Sequence, residues 1–121
     1  MKYKIIIIMA LFGSIFGVKA QQNEAYKLLD VQTFKDSTLN KKIQLIDVRT
    51  PEEYNSGHIK DAKNIDFYSG KFTTEFNKLD KEQPVYIYCR SGSRSKQTAN
   101  KLSAMGFKEI YDLEGGILNY D

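Results

Sequence analysis

Cys89 is the single cysteine of the chain, and the loop that follows it has the composition of an anion-binding site. In the stretch YIYCRSGSRS, an apolar run ends at Cys89, and small polar residues with two arginines come next. The thiolate is the nucleophilic form of cysteine, and nearby cations or a helix N-terminus lower the pKa of the thiol. Arg90 and Arg94 supply cations, and Gly92 allows successive backbone amides to turn inward around the sulfur. The pattern predicts a nucleophilic cysteine in a cradle for a small anion with several oxygens.

A cysteine at the end of an apolar strand is otherwise a common small core residue, which is the structural alternative. A merely structural turn has little use for two arginines and a glycine around one thiol, so we favour the reactive role. The serines of the loop are small, and their hydroxyls can hydrogen-bond a thiolate or an oxyanion. We predict Cys89 as the catalytic nucleophile, followed by a substrate-binding loop of six residues: Arg90, Ser91, Gly92, Ser93, Arg94 and Ser95.

Strand-like and helix-like stretches alternate along the chain and must position this loop. Short apolar or β-branched runs predict strands over 27–29, 44–49, 62–67, 85–89 and 109–113. Helical patterns are expected over 30–34, 50–54, 72–79 and from about residue 91 to Gly106. The alternation predicts an α/β fold with a mainly parallel sheet, in which ligands bind beyond the carboxyl ends of the strands. Cys89 lies at such an end.

Two of the predicted helices carry clear end signals. Thr50 can cap the helix that begins with Pro51, and Glu53 completes a capping box with it. Gly106 is well placed just after the last predicted helix, with Phe107 as its hydrophobic contact. We therefore expect both ends to be well defined.

The first twenty residues have the composition of a targeting segment. Lys2 and Lys4 precede an apolar run of about a dozen residues, and Val18-Lys19-Ala20 places small residues where a signal peptidase cleaves. The run is short for a membrane span, which needs about 20 residues. The expected location is the periplasm after export, with an uncleaved N-terminal membrane anchor as the alternative. We predict three segments: a signal peptide over 1–20, a linker over 21–26 and one domain over 27–121.

The targeting segment accounts for the net charge of the chain. The whole sequence has 18 basic and 15 acidic residues and a formal net charge of +3. Three of the lysines and none of the acidic residues precede Gln21, so the remainder carries 15 of each sign. A neutral domain has no bulk electrostatic attraction to nucleic acid or to a membrane surface, and we expect neither as a partner.

Three segments together resemble the rhodanese-like sulfurtransferases. LIDVRTPEEYNSGHIKDAKNID resembles that family's DVR…EY…GHI…A.NI segment, YIYCRSGSRS resembles its active-site loop, and GFKEIYDLEGGILNY resembles its closing GF..V..L.GGI segment. They occur in order and at the expected spacing over essentially all of the chain after the first twenty residues. Asp61 departs from the pattern, because the family usually has a glycine there. Each segment is a weak signal alone, and the three together are highly specific.

The resemblance implies a five-stranded, mainly parallel sheet flanked by helices. It also implies that Cys89 takes a sulfane sulfur from thiosulfate or a similar small anionic donor, holds it as a persulfide and passes it to cyanide or a thiol. The acceptor thiol can belong to another protein, and no cofactor is implied. Arg90 directly follows the nucleophile, so we expect it to recognise the donor anion. We expect Arg94 to brace the loop against Asp47 or Glu114.

Loop length separates sulfur transfer from its nearest enzymatic alternative. The related cell-cycle phosphatases have five residues between the cysteine and the arginine, whereas four separate Cys89 from Arg94. The loop also has no acidic residue to protonate a leaving alcohol. A phosphatase or arsenate reductase is therefore the weaker enzymatic alternative. A non-enzymatic binding module or a persulfide carrier is the other, although an intact loop with Cys89 argues against pure binding.

Four residues outside the loop are predicted to support it: Asp47, Arg49, Gly115 and Gly116. Asp47 and Arg49 follow a buried-looking strand, so we expect an ion pair behind the loop. The two glycines are expected to let the backbone pass close to the loop rim. His58, the single histidine, lies in a turn well before Cys89, and we expect it to make a structural hydrogen bond. One histidine and one cysteine make a poor metal site, so no metal is expected.

Overall fold

A five-stranded parallel sheet organises the structure, a computed structural model that describes residues 24–121. Each neighbouring pair of strands is parallel. The strands are β1 (Tyr26–Leu29), β2 (Gln44–Asp47), β3 (Lys63–Asn64), β4 (Val85–Tyr88) and β5 (Ile110–Leu113), in the spatial order β1-β5-β4-β2-β3. The predicted α/β class and the five parallel strands are confirmed.

Four helices connect these strands, and a short 3-10 turn follows the last one. The helices are α1 (Val31–Thr38), α2 (Pro51–Asn55), α3 (Phe72–Phe76) and α4 (Ser93–Ala104), and the turn is Ile117–Asn119. The predicted signal peptide and the linker as far as residue 23 lie outside the described residues, so both stay predictions. Between residues 24 and 121, no helix is long and apolar enough to cross a membrane.

Several predicted boundaries differ from the structure for local reasons. β1 begins at Tyr26, which pairs with Ile110, one residue before the strand start predicted at residue 27. α1 continues past Phe34 to Thr38, because both side chains are buried on the same face of the helix. β3 has only two residues, Lys63 and Asn64, which pair with Ile46 and Asp47 of β2 at the edge of the sheet.

The predicted helix ends are confirmed. The Thr50 hydroxyl accepts a hydrogen bond from the Glu53 amide at 3.3 Å, and the Glu53 carboxylate accepts one from the Thr50 amide at 3.0 Å. After α4, the Phe107 amide donates to the carbonyl of Leu102 at 3.1 Å, and Gly106 lies between helix and loop with a positive φ.

Side chains of β4 alternate between two apolar clusters, one on each face of the sheet. Val85, Ile87 and Cys89 belong to the cluster that α4 covers. Tyr86 and Tyr88 pack into the other, which includes residues of α1 and β2. Consecutive residues at the end of β4 therefore face opposite layers of the protein, and the thiol faces α4.

Leu102 of α4 provides a direct test of this packing. Its side chain is fully buried, so Leu102→Ala should lower the free energy of unfolding by about 2–5 kcal/mol through lost burial and a cavity. Urea unfolding at pH 7 measures the change. Leu118→Ala removes the same atoms from a residue that is 60% exposed and should change stability by less than about 0.5 kcal/mol. Equal losses in the two variants would contradict the assigned core.

Candidate active site

Cys89 directly follows β4, and its thiol lies beneath the loop that leads into α4. The residue is only 1% exposed, and its sulfur forms no disulfide. The Gly92 amide donates a hydrogen bond to Sγ at 3.1 Å, and Sγ lies 3.5 Å from the Ser95 hydroxyl oxygen. Sγ therefore has a backbone donor on the loop side and a hydroxyl on the helix side.

Backbone conformation at Gly92 creates this cradle. Its φ is +122°, a value that side-chain-bearing residues rarely adopt, and α4 begins only at the next residue. The predicted helix start at about residue 91 was therefore two residues too early. Residues 90–92 curve around Sγ instead, and the first turn of α4 points its unpaired amides towards the loop. Both features stabilise negative charge on the sulfur.

The two loop arginines have different surroundings. Arg90 is exposed, and within residues 24–121 its guanidinium makes no hydrogen bond or ion pair. Arg94 is half-buried and binds the Glu53 carboxylate through both terminal nitrogens, at 2.7 and 3.0 Å. Arg90 is thus available to an incoming anion, and Arg94 braces the loop.

The prediction that Arg94 binds Asp47 or Glu114 was wrong. Asp47 is already bound by Arg49 and Tyr88. Glu53 lies at the N-terminal turn of α2, where its carboxylate can cap the helix and still bind Arg94. The hydrogen bonds from Arg94 are the main reason that the pKa of Glu53 falls from its ordinary 4.5 to about 2. One carboxylate therefore caps α2 and connects it to α4.

Asp47 and Arg49 form the predicted ion pair, on the opposite face of β4 from the thiol. The Arg49 Nη2 atom lies 2.7 Å from Asp47 Oδ2, and both residues are buried. The Tyr88 hydroxyl donates to the same carboxylate at 2.7 Å, and the Val48 amide donates to the Tyr88 carbonyl at 3.0 Å. Desolvation raises the pKa of Tyr88, so its hydroxyl remains a donor. These bonds fix the end of β4, and with it the position of Cys89.

Gly116 passes close to the loop, as predicted, whereas Gly115 lies against the side chain of Asn119. A Cβ atom on Gly116 would collide with the Arg90 carbonyl oxygen, so a side chain cannot be accommodated there. The close approach allows the Ile117 amide to donate to the Cys89 carbonyl at 2.9 Å and the Leu118 amide to donate to Arg90 at 3.2 Å. The C-terminal turn therefore holds Cys89 and the first residue of the loop.

His58 takes part in a local contact with α2. Its Nδ1 atom lies 2.9 Å from the Tyr54 carbonyl oxygen, and its ring stacks on that of Tyr54 with centroids 3.7 Å apart. The expected structural hydrogen bond is confirmed. Across residues 24–121, no three histidine, cysteine or acidic side chains are grouped so that they could hold a metal ion.

Comparison with known proteins agrees with this geometry. A family model described as the rhodanese-like domain matches residues 30–121. The chain belongs to the rhodanese-like family. It is 35% identical over 112 residues to "Uncharacterized protein YqhL" of Bacillus subtilis (strain 168), covering 93% of this chain and 86% of that protein. It is 29% identical over 92 residues to "Thiosulfate sulfurtransferase GlpE" of Shewanella oneidensis, covering 76% and 89%.

Solved structures of rhodanese-like proteins share the fold. The crystal structure of a rhodanese-like domain protein from Staphylococcus aureus superposes with a TM-score of 0.69 and 31% identity, covering 78% of this chain and 91% of that one.

Asp61 keeps the backbone shape at the position where glycine is usual in the rhodanese-like pattern. Its φ is +69°, and aspartate tolerates the left-handed region better than most side-chain-bearing residues.

Asp112 and Tyr26 are two polar residues near Cys89 that sequence reasoning missed. Asp112 lies in β5 and is 1% exposed, and the Tyr26 hydroxyl donates to its Oδ2 at 2.8 Å. The available signal was an acidic residue inside the otherwise apolar run EIYDL, which the parallel sheet buries. Tyr26 gave no signal, because its contact depends on the pairing of the first and last strands.

The Glu53–Arg94 pair predicts a pH-dependent contribution to stability. Because the folded pKa of Glu53 lies below its unfolded value, the contribution is complete above pH 4.5 and disappears as the pH falls to about 2. Glu53→Gln keeps an oxygen for the cap and removes the charge. At pH 7 it should cost about 1 kcal/mol, since the pair is partly solvated. Urea unfolding of both proteins from pH 7 to pH 2 measures the difference.

Glu52→Gln is the matched control for this pair. Glu52 lies beside Glu53 in the first turn of α2 and is exposed. Its replacement should change stability by less than about 0.5 kcal/mol at each pH. A stability gap between wild type and Glu53→Gln that stays constant down to pH 2 would rule out the ionic contribution.

Proposed function

We propose that this rhodanese-like domain is a sulfurtransferase that carries a sulfane sulfur on Cys89. The observation that supports the proposal best is the position of Sγ, which accepts the Gly92 amide in front of the first turn of α4. Such a site favours a sulfur anion both before and after transfer. The exposed Arg90 supplies a cation at the loop for an anionic donor. Relatives named thiosulfate sulfurtransferase make thiosulfate the first donor to test.

In the first step, the Cys89 thiolate attacks the sulfane sulfur of thiosulfate. A new S–S bond forms on Cys89, the S–S bond of thiosulfate breaks, and sulfite leaves with the electron pair. The sulfite oxygens need a cation, and Arg90 is the candidate to bind them. The anionic outer sulfur of the resulting persulfide lies near the amides of residues 90–95, which stabilise its charge.

In the second step, a thiophilic acceptor attacks the outer sulfur of the persulfide. With cyanide, a C–S bond forms, the S–S bond breaks and thiocyanate leaves as the Cys89 thiolate returns. A thiol acceptor, free or on another protein, takes the sulfur in the same way and becomes a persulfide itself. The cycle is redox-neutral for the enzyme and uses no cofactor.

Two other functions on the same fold are less well supported. Phosphatase chemistry commonly needs an arginine free to bind phosphate oxygens, but both terminal nitrogens of Arg94 already bind Glu53. A persulfide carrier with a single protein acceptor would keep the same loop. Strong sulfur loading with negligible turnover on cyanide would favour the carrier, and both sulfur-transfer functions predict a Cys89 persulfide.

Intact-mass analysis after thiosulfate treatment tests the proposal. We expect the full chain, expressed in a bacterial host, to gain the mass of one sulfur atom and to lose it on addition of cyanide. The same spectra test the predicted export, because cleavage after Ala20 gives a chain that begins at Gln21. Cys89→Ser is the matched control and should gain nothing. Equal masses for the two proteins, or hydrolysis of p-nitrophenyl phosphate by wild type alone, would overturn the assignment.

The different surroundings of the two arginines predict different kinetic effects. Arg90→Ala should raise the KM for thiosulfate by about tenfold, as expected for one lost ionic hydrogen bond, with a smaller effect on stability. Arg94→Ala should mainly lower stability, because it leaves Glu53 without its partner. Steady-state thiocyanate formation and urea unfolding measure the two effects. A larger KM increase in Arg94→Ala would show that the two roles are exchanged.

A further inference from the structure

A short series of buried polar groups runs from the thiol into the core. The Ser95 hydroxyl oxygen lies 3.5 Å from Cys89 Sγ, and its side chain faces the carboxyl group of Asp112. On the far side of that carboxyl group, the Tyr26 hydroxyl donates to Oδ2 at 2.8 Å. Ser95 and Asp112 are essentially inaccessible to solvent. A carboxyl group thus lies one hydroxyl away from the reactive sulfur.

Asp112 has little to stabilise its charge. Within residues 24–121 no lysine or arginine pairs with it, and its Oδ1 atom has no hydrogen-bond partner. The Ser95 hydroxyl has a single proton, and the Gly92 carbonyl oxygen, 3.2 Å from Oγ, competes with Asp112 for it. Burial raises the pKa of Asp112 to about 6, and the hydroxyls of Ser95 and Tyr26 limit the rise. Asp112 therefore changes charge near neutral pH.

The groups that face this pair come from two other elements, β1 and α4. Tyr26 of β1 faces both Asp112 and Cys89, and burial raises its pKa, so it stays neutral. Arg94 of α4 is the cation that interacts with Cys89, but Glu53 holds it. Ser95 of α4 does not titrate. Of the groups that face the Cys89 sulfur, Asp112 is therefore the one whose charge changes at about pH 6.

We propose that Asp112 is a positioning residue whose charge, acting through the Ser95 hydroxyl, sets how readily Cys89 becomes a thiolate. The proposal rests on the proposed function only in taking Cys89 Sγ as the reacting atom. Asp112 touches neither the sulfur donor nor the sulfur acceptor, and it acts on Cys89 Sγ from the core of the protein.

The Ser95 hydroxyl couples Asp112 to Cys89 because both groups compete as acceptors for its one proton. When Asp112 is protonated, its O–H donates to the Ser95 oxygen, and the Ser95 proton is free to bind the thiolate. When Asp112 is ionised, it attracts that proton, and its charge also opposes a second negative charge on Sγ. A proton that leaves Cys89 while one binds Asp112 keeps the net charge of the pair at one negative, so loss of one proton favours uptake of the other.

Asp112→Asn tests this role, since the amide keeps the shape and can mimic the protonated acid. The Asn oxygen can accept from Tyr26, and its NH₂ group can donate to Ser95. We expect the midpoint of the pH profile for Cys89 alkylation by iodoacetamide, followed by intact mass from pH 4 to 10, to fall by about one unit. Below the wild-type midpoint, alkylation should become about tenfold faster. The assay needs no sulfur donor, so it is independent of sulfurtransferase activity.

Glu109→Gln is the matched control, because it removes an exposed carboxylate one residue before β5. Its midpoint should stay within about 0.2 unit of wild type, as expected for a solvent-screened charge. Tyr26→Phe is the second variant if Asp112→Asn does not fold by circular dichroism. It removes a hydrogen bond that favours ionised Asp112, so it should lower the midpoint by a smaller amount. Coincident profiles for the folded variants and wild type would overturn the proposal.

Discussion

The alternation of side chains at the end of β4 is the constraint on which the site depends. Tyr88 and Cys89 are consecutive, so they face opposite sides of the sheet. Tyr88 binds the Asp47–Arg49 pair on one side, and this anchors the strand end. Cys89 then has one direction available, towards the N-terminus of α4. The thiol is oriented by a hydrogen bond formed on the other side of the sheet.

The loop above the thiol is held by contacts from two distant parts of the chain. Glu53 of α2 binds Arg94, and the turn after Gly116 binds the carbonyls of Cys89 and Arg90. Neither contact uses the side chain of Arg90, which stays exposed. The division has a physical advantage, because a brace that also bound the donor would release the loop each time the donor left. Arg94 therefore supplies rigidity, and in the proposed function recognition of the donor is left to Arg90.

Local signals in the sequence were enough to predict most of the fold and the loop. The Thr50–Glu53 capping box, the end of α4 at Gly106 and the Cys89 loop all depend on residues within a few positions of one another. The partner of Arg94 and the importance of Asp112 were missed for the opposite reason. Arg94 is 41 residues from Glu53, and Tyr26 is 86 from Asp112, so these contacts exist only once the strand order is known.

The depth of Cys89 also determines which chemistry the sulfur avoids. Because Cys89 is only 1% exposed, the Sγ atoms of two protein molecules cannot approach each other closely enough to form an S–S bond. Two copies of the chain therefore cannot be joined through their single cysteines while the loop keeps its shape. Burial thus protects a lone thiol from intermolecular disulfides, even where the surroundings are oxidising.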